Sequence, residues 1–309
     1  MERDSGPGPA PVEPAQPEFR VSAVSLVSRT FSVWSRRMPS YVAISSIAGI
    51  GLTGVEAIIF YVFLGWSGLV SVGTAATDPW SYLYNIFTSG TLSGFLLVMG
   101  VLMVVEMVAY AVIGGAITKL ALDNYGSPTS GSTGESLSFA WGRFPTLVGI
   151  EIVFKLLTFV ISLPLLAMSF TILTIDPYDP NLLNTLATFF VIIIISFVVL
   201  AYVSIRFAPR VAVVVASDLS VGGSIKRTFS LTSRSFWHIF GGWLLLTISI
   251  GLLGSIITIL LSLFTDVMYT IAYTVITILL LNPLGYIFQA VLYKDLMSRA
   301  GAQSEQQWW

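Results

Sequence analysis

All fifteen Lys and Arg residues of this chain fall in segments that can lie on one side of a membrane. Six long apolar runs occur, at 40–65, 93–119, 145–174, 182–205, 237–264 and 267–293. Runs one and two are separated by no Lys or Arg, nor are runs three and four, or five and six. The basic residues stand before run one (Arg29, Arg36, Arg37) and after run two (Lys119, Arg143). Others follow run four (Arg206, Arg210, Lys226, Arg227, Arg234) and run six (Lys294, Arg299). Lys155 lies inside run three, nearer its basic end. A span needs roughly 20 apolar residues, and excess Lys and Arg mark the cytoplasmic side. The expected fold class is all-α: a polytopic membrane protein with six transmembrane helices and both termini cytoplasmic, in a prokaryotic inner membrane.

The composition agrees. The chain is 55% hydrophobic and 10% charged, where a soluble domain carries about 25% charged residues. Continuous rather than alternating runs exclude a closed barrel. With no cysteine there is no disulfide and no thiolate metal site. A formal net charge of −1 gives no sign of a nucleic-acid partner. Residues 1–19 are Pro- and Gly-rich and acidic, the composition of a disordered cytoplasmic tail rather than a signal peptide.

A short pattern recurs. Residues 29–36 read RTFSVWSR and residues 227–234 read RTFSLTSR; residues 136–143, SLSFAWGR, keep Trp141 level with Trp34 and Arg143 level with Arg36. Each copy precedes an odd-numbered run. The implied unit is an amphipathic interfacial helix followed by a membrane hairpin. It occurs as repeat 1 over 20–122, repeat 2 over 123–217, and repeat 3 over 218–309 with a short C-terminal tail. In the first helix Val24, Val27, Phe31, Trp34 and Met38 form the apolar stripe; in the third it is Val221, Ile225, Phe229, Thr232 and Phe236. Asp218 or Ser220 is placed to cap the latter. Arg29, Arg36, Arg143, Lys226, Arg227 and Arg234 would then face lipid headgroups. Anchoring the bundle is one role for such helices; docking a lipid or a partner protein is another. Ser45 with Gly49, Ala111 with Gly115 and Gly251 with Ser255 are spaced for close helix contacts. Loop 66–92 carries Trp66, Trp80, Tyr82, Tyr84 and Phe87, with an Asp78-Pro79 helix start; Asp179-Pro180 is placed to start span four similarly.

Four ionisable residues, Glu56, Glu106, Glu151 and Lys155, fall within the runs. An intramembrane charge costs ~2.5–3.5 kcal/mol even on a lenient scale and marks a functional site by default. Glu151 and Lys155 share a helix face, and Glu106 reaches a depth at which it can meet Lys155. Register-fixing ion pairs or a snorkelling lysine are the structural alternatives. With Asn282, beside the helix break at Pro283, these residues form a candidate polar pathway. Pro164 is a second break. His238, next to Trp237, reads as an interface anchor. No motif of nucleophile and base, metal ligands or phosphate loop is present, so no catalytic residue, cofactor or metal is expected.

Residues 206–241, RFAPRVAVVVASDLSVGGSIKRTFSLTSRSFWHIFG, and 120–143, LALDNYGSPTSGSTGESLSFAWGR, resemble the segments after spans four and two of a known family. It is the membrane domain attached to some glycerophosphodiester phosphodiesterases, with its stand-alone six-helix relatives. The likeness covers about residues 20–300. The phosphodiesterase barrel itself, with its histidine and acidic ligands, is missing. The resemblance implies a non-enzymatic membrane module that binds lipid or a partner membrane protein. The intramembrane charges support an alternative, a carrier or channel for a small solute, ion or lipid.

Overall fold

The computed structural model describes residues 21–47, 49, 51–52, 54–55, 58–59, 92–126, 130–174, 179–262, 272–273 and 275–306. These residues form helices and short connections, with no strand among them. In chain order the helices are α1 (Ala23–Arg36), α2 (Leu92–Gly126), α3 (Thr133–Gly142), α4 (Phe144–Thr174) and α5 (Leu182–Arg206). Next come α6 (Arg210–Ala216), α7 (Val221–Thr232) and α8 (Phe236–Leu261), then a π-helical turn (Thr277–Leu281) that leads into α9 (Asn282–Gln306).

Among the described residues, four helical segments are long and apolar enough to cross a membrane: Gly100–Tyr125, Phe144–Ser169, Leu182–Ala216 and Phe236–Leu261. Their outer faces carry a continuous apolar surface, including Phe190, Ile194 and Phe197 on α5 and Leu252, Ile256 and Ile259 on α8. Water would not tolerate a patch of that extent, and hydrocarbon does. Of the six expected spans, run one is described only in part and run six begins outside the described residues. Loop 66–92, apart from its last residue, and Glu56 also lie outside them.

The third of these segments is not one rod. The chain turns at Phe207–Pro209, and α6 enters the interior with Val211, Ala212, Val213, Val214 and Val215 all buried. It packs against α2, α4, α7 and α9. Gln289 of α9 accepts the Val211 N–H (3.2 Å), satisfying one donor of its first turn.

The short helices are set by caps. Ser132 and Glu135 form a reciprocal capping box at α3. Ser220, one of the two expected caps, accepts the Gly223 N–H at the start of α7. Asp179 accepts the Asn181 N–H (2.7 Å), and α5 begins just beyond it.

The faces of α1 and α7 differ from the expected stripes. The buried face of α1 is Leu26, Val27, Thr30 and Val33, while Val24 is 66% exposed. That of α7 is Ser224, Thr228, Leu231 and Thr232. Both helices bury small polar side chains because they pack on other helices, not only on lipid: α1 on α8 and α9, α7 on α6 and α4. Thr30 and Thr228 are both fully buried, and each hydroxyl bonds the carbonyl four residues back at 2.8 Å.

Cationic residues from distant segments meet at one end of the bundle. Arg29 donates to the Tyr125 hydroxyl (2.8 Å), Arg37 to the Gly131 carbonyl, and Arg143 pairs with Asp218. Gly131 has φ +78°, so only glycine suits this turn. The tightest cluster centres on Asp295, which is fully buried. Its carboxylate receives His238 Nε2 (2.9 Å), Arg299 Nε (2.8 Å) and the Val21 N–H (2.8 Å). Arg299 also donates to the Val21 carbonyl (2.6 Å). His238, expected as an interface anchor, also hydrogen-bonds Asp295 and so ties α8 to α9.

Glycines set the closest crossings. A Cβ on Gly114 would stand 2.2 Å from the Tyr286 ring, where α2 meets α9; one on Gly115 would meet Leu147 at 2.5 Å. Gly251, by contrast, faces open space, so its pair with Ser255 does not mediate a helix contact. Gly114→Ala is expected to cost about 1–3 kcal/mol through overpacking, whereas Gly285→Ala, with nothing near, is expected to leave the thermal midpoint unchanged. Equal midpoints for the two variants in detergent would contradict this packing.

The Asp295 cluster predicts a pH dependence. Burial pushes this carboxyl up, but hydrogen bonds from His238, Arg299 and the Val21 N–H, with the Arg299 charge, outweigh burial and hold it below the ordinary range. Its stabilisation is therefore complete above the unfolded value of ~3.9 and is lost as the pH falls through the lower folded value. Asp295→Asn is expected to unfold at a lower temperature than the native chain at neutral pH. The gap is expected to narrow only below about pH 4. A gap already closed at pH 6 would show that the carboxylate is not what holds the cluster.

Candidate functional site

The cavity that gathers the intramembrane polar residues lies among α4, α8 and the π-turn with α9. It has a volume of about 820 Å³, within the usual range for a ligand pocket. Three of the five residues expected to form a polar pathway line it: Glu151, Lys155 and Asn282. Glu106 is half-buried on α2 and does not line it; its neighbour Met107 does. Glu56 lies outside the described residues. Pro164, within α4, is not part of the wall.

The cation that meets Glu151 is Arg210, not Lys155. Arg210 Nε stands 2.9 Å from one carboxylate oxygen and Nη2 3.1 Å from the other, a two-pronged ion pair. Both side chains are nearly buried, at 8% and 14% exposure. The guanidinium also lies over the Phe154 ring, 3.9 Å from its centre. Among the described residues Glu106 and Lys155 form no ion pair with each other.

Sequence reasoning grouped Arg210 with the cytoplasmic cations and missed its role. A signal was present. Arg210 is followed by VAVVVA, a run too short to span and too apolar for water, so its natural place is the protein interior. An arginine at its head then needs a buried carboxylate.

The π-turn shapes one wall. The Asn282 N–H bonds the carbonyl of Thr277, five residues back. Pro283 has no N–H to donate, and its ring crowds the carbonyl of Leu279 in a regular helix; the widened turn relieves both problems. Thr247 and Ser255 of α8 bond the carbonyl four residues back. The Thr277 hydroxyl, like that of Thr118 on α2, is buried without a partner. The Tyr286 hydroxyl donates to the Tyr110 carbonyl (3.4 Å) at the floor. On the opposite side Gly251 of α8 leaves the space open, and a Cβ on Gly254 would stand 4.0 Å from the Tyr273 hydroxyl.

The expected lipid-facing cations lie away from this cavity. Arg36, Lys226 and Arg234 are exposed, Arg227 reaches the Met297 sulfur (3.3 Å), and Arg29 and Arg143 are engaged as described above. No group of three or more His, Cys, Asp or Glu suited to a metal ion occurs among the described residues. No protein-family model, curated protein or solved structure matches this chain.

Removing one partner of a buried ion pair costs about 3–5 kcal/mol, while an apolar replacement of both is far better tolerated. Arg210→Met is therefore expected to lower the thermal midpoint sharply, and Glu151→Leu with Arg210→Met to recover most of the loss. A double variant as unstable as the single one would mean that the pair does not act as a unit.

Proposed function

We propose that this chain is a non-enzymatic membrane module that holds a lipid in the cavity between α4 and α8. The observation that carries this reading is the position of the opening. Lys155 on α4 and Gly251, Ser255 and Ile259 on α8 line the cavity and are exposed. Both helices are long and apolar enough to cross a membrane, so the opening between them faces the acyl region. The wall offers polar groups at Glu151, Lys155 and Asn282 and apolar side chains at Ile250, Ile259 and Leu281. An amphiphile uses both kinds of surface; a small ion uses only the first.

Six spans, cytoplasmic termini in a prokaryotic inner membrane and the threefold repeat belong to the same reading. The gathering of cations at one end supports the orientation. The matching burial and bonding of Thr30 and Thr228 supports the repeat. Kinship with the membrane domain of the glycerophosphodiester phosphodiesterases is part of it too, as is docking of a partner membrane protein on the basic faces of α1 and α7. One observation favours the carrier alternative: the π-turn and Pro283 place a break in the cavity wall, where a helix can bend.

Native mass spectrometry of the protein released in mild detergent is expected to show one retained lipid per chain. Gly251→Leu, which fills open space, is expected to release it without lowering the thermal midpoint. Retention unchanged in Gly251→Leu would place the lipid elsewhere and remove the basis of this proposal.

A further inference from the structure

Resting on that reading, the geometry points to the class of ligand: we infer that the cavity takes an anionic amphiphile whose phosphate or carboxylate is recognised by Lys155 and Asn282. The argument begins with charge. Among the described residues, the charged ones lining the cavity are Lys155, Arg210 and Glu151. Arg210 and Glu151 neutralise each other through two hydrogen bonds, and both sit nearly out of reach. Two cations against one carboxylate leave one positive charge, and that charge is the exposed ammonium of Lys155.

Lys155 has no ion-pair partner among the described residues. It lies eleven residues along α4 from Phe144, roughly 16 Å at the helical rise, counted from the end where Arg143 pairs with Asp218. Its four-carbon stem is too short to bring the ammonium back to that end. A charge held at this depth in an apolar surround needs a counter-charge. The carboxylate one turn before it is taken by Arg210, and among the described residues no other carboxylate pairs with Lys155, which leaves a ligand to supply the counter-charge.

The neighbouring polar group fits the same ligand. The Asn282 side chain has no hydrogen bond among the described residues and supplies two N–H donors. It follows the π-turn directly and lines the same cavity as Lys155. An ammonium and an amide suit an anionic oxygen. A trimethylammonium group offers them nothing and adds a like charge next to Lys155. The Glu151–Arg210 pair thus has a second consequence: by occupying Glu151 it keeps the site from being self-neutralised by a Glu151–Lys155 bridge.

The test uses the full chain in detergent, stripped of lipid and exposed in turn to dioleoyl phosphatidylglycerol, dioleoyl phosphatidylcholine and inorganic phosphate, with retention read by native mass spectrometry. Phosphatidylglycerol is expected to be retained over phosphatidylcholine. Lys155→Gln is expected to weaken it about tenfold or more, the scale of one charge-assisted hydrogen bond. Lys155→Arg is expected to retain it. Lys155 is exposed, so these variants fold as the native chain does, and equal thermal midpoints verify that. Equal retention of both lipids, indifferent to Lys155→Gln yet lost in Gly251→Leu, overturns the anionic assignment and leaves the lipid cavity standing. Phosphatidylglycerol held equally by Lys155→Gln and Gly251→Leu places the lipid outside the cavity and overturns both. Binding of inorganic phosphate alone, lost in Lys155→Gln, keeps the anion and shows that it comes from a free solute rather than a headgroup.

Discussion

The helices of this bundle close around α6, a seven-residue segment that carries one charge and is otherwise apolar. Such a segment is too short to cross a membrane and too apolar to lie in water, so it is stable only when other helices cover it on every side. α2, α4, α7 and α9 do so. The condition for that arrangement is the pairing of Arg210. An arginine carried to the edge of the core without a carboxylate would leave a buried charge uncompensated, and Glu151 on α4 supplies the carboxylate in two-pronged geometry. Gln289 does the same for a backbone donor at the head of α6. The polar groups inside the bundle thus meet a constraint imposed by an apolar helix.

That constraint also explains which parts were readable in the sequence. Helix class followed from run length, and the Ser220 cap followed from its position before Val221. The faces of α1 and α7 were read less well. A stripe chosen by hydrophobicity picks Val24, which is exposed, and passes over Thr30 and Thr228, which are fully buried. Hydrophobicity ranks residues against water, whereas burial between helices selects small side chains that bond their own backbone, as these threonines do. The site was half legible for a related reason. Intramembrane charges are conspicuous, so Glu151 and Lys155 stood out. Arg210 was hidden among loop cations because a positive-inside count treats every cation between spans as solvated.

Glycine serves two opposite purposes here. Gly114 and Gly115 let α2 approach α9 and α4 to distances that a methyl group would forbid. Gly251 stands on the same kind of helix with open space before it, and there the missing side chain becomes cavity volume. Spacing alone does not separate the two cases, because Ala111 with Gly115 and Gly251 with Ser255 have the same interval. What separates them is what stands opposite: Leu147 of α4 and Ala140 of α3 lie against Gly115, and nothing stands within 4 Å of a Cβ on Gly251.

The π-turn and the Asp295 cluster lie on one continuous stretch of helix. Asn282 and Asp295 are thirteen residues apart on α9, roughly 20 Å at the helical rise. One end carries the polar wall of the cavity; the other holds the start of α1 and His238 of α8 in a single carboxylate cluster. α8 also forms the opposite wall of the cavity, so the Asp295 cluster joins both walls at their basic end. A change in width at the cavity must then be absorbed above that clamp, where the π-turn has already broken the regular ladder, rather than at the clamp, where four hydrogen bonds to Asp295 and Val21 would have to part together. α9 is thus fastened at one end, and its regular hydrogen-bond ladder is broken at the other.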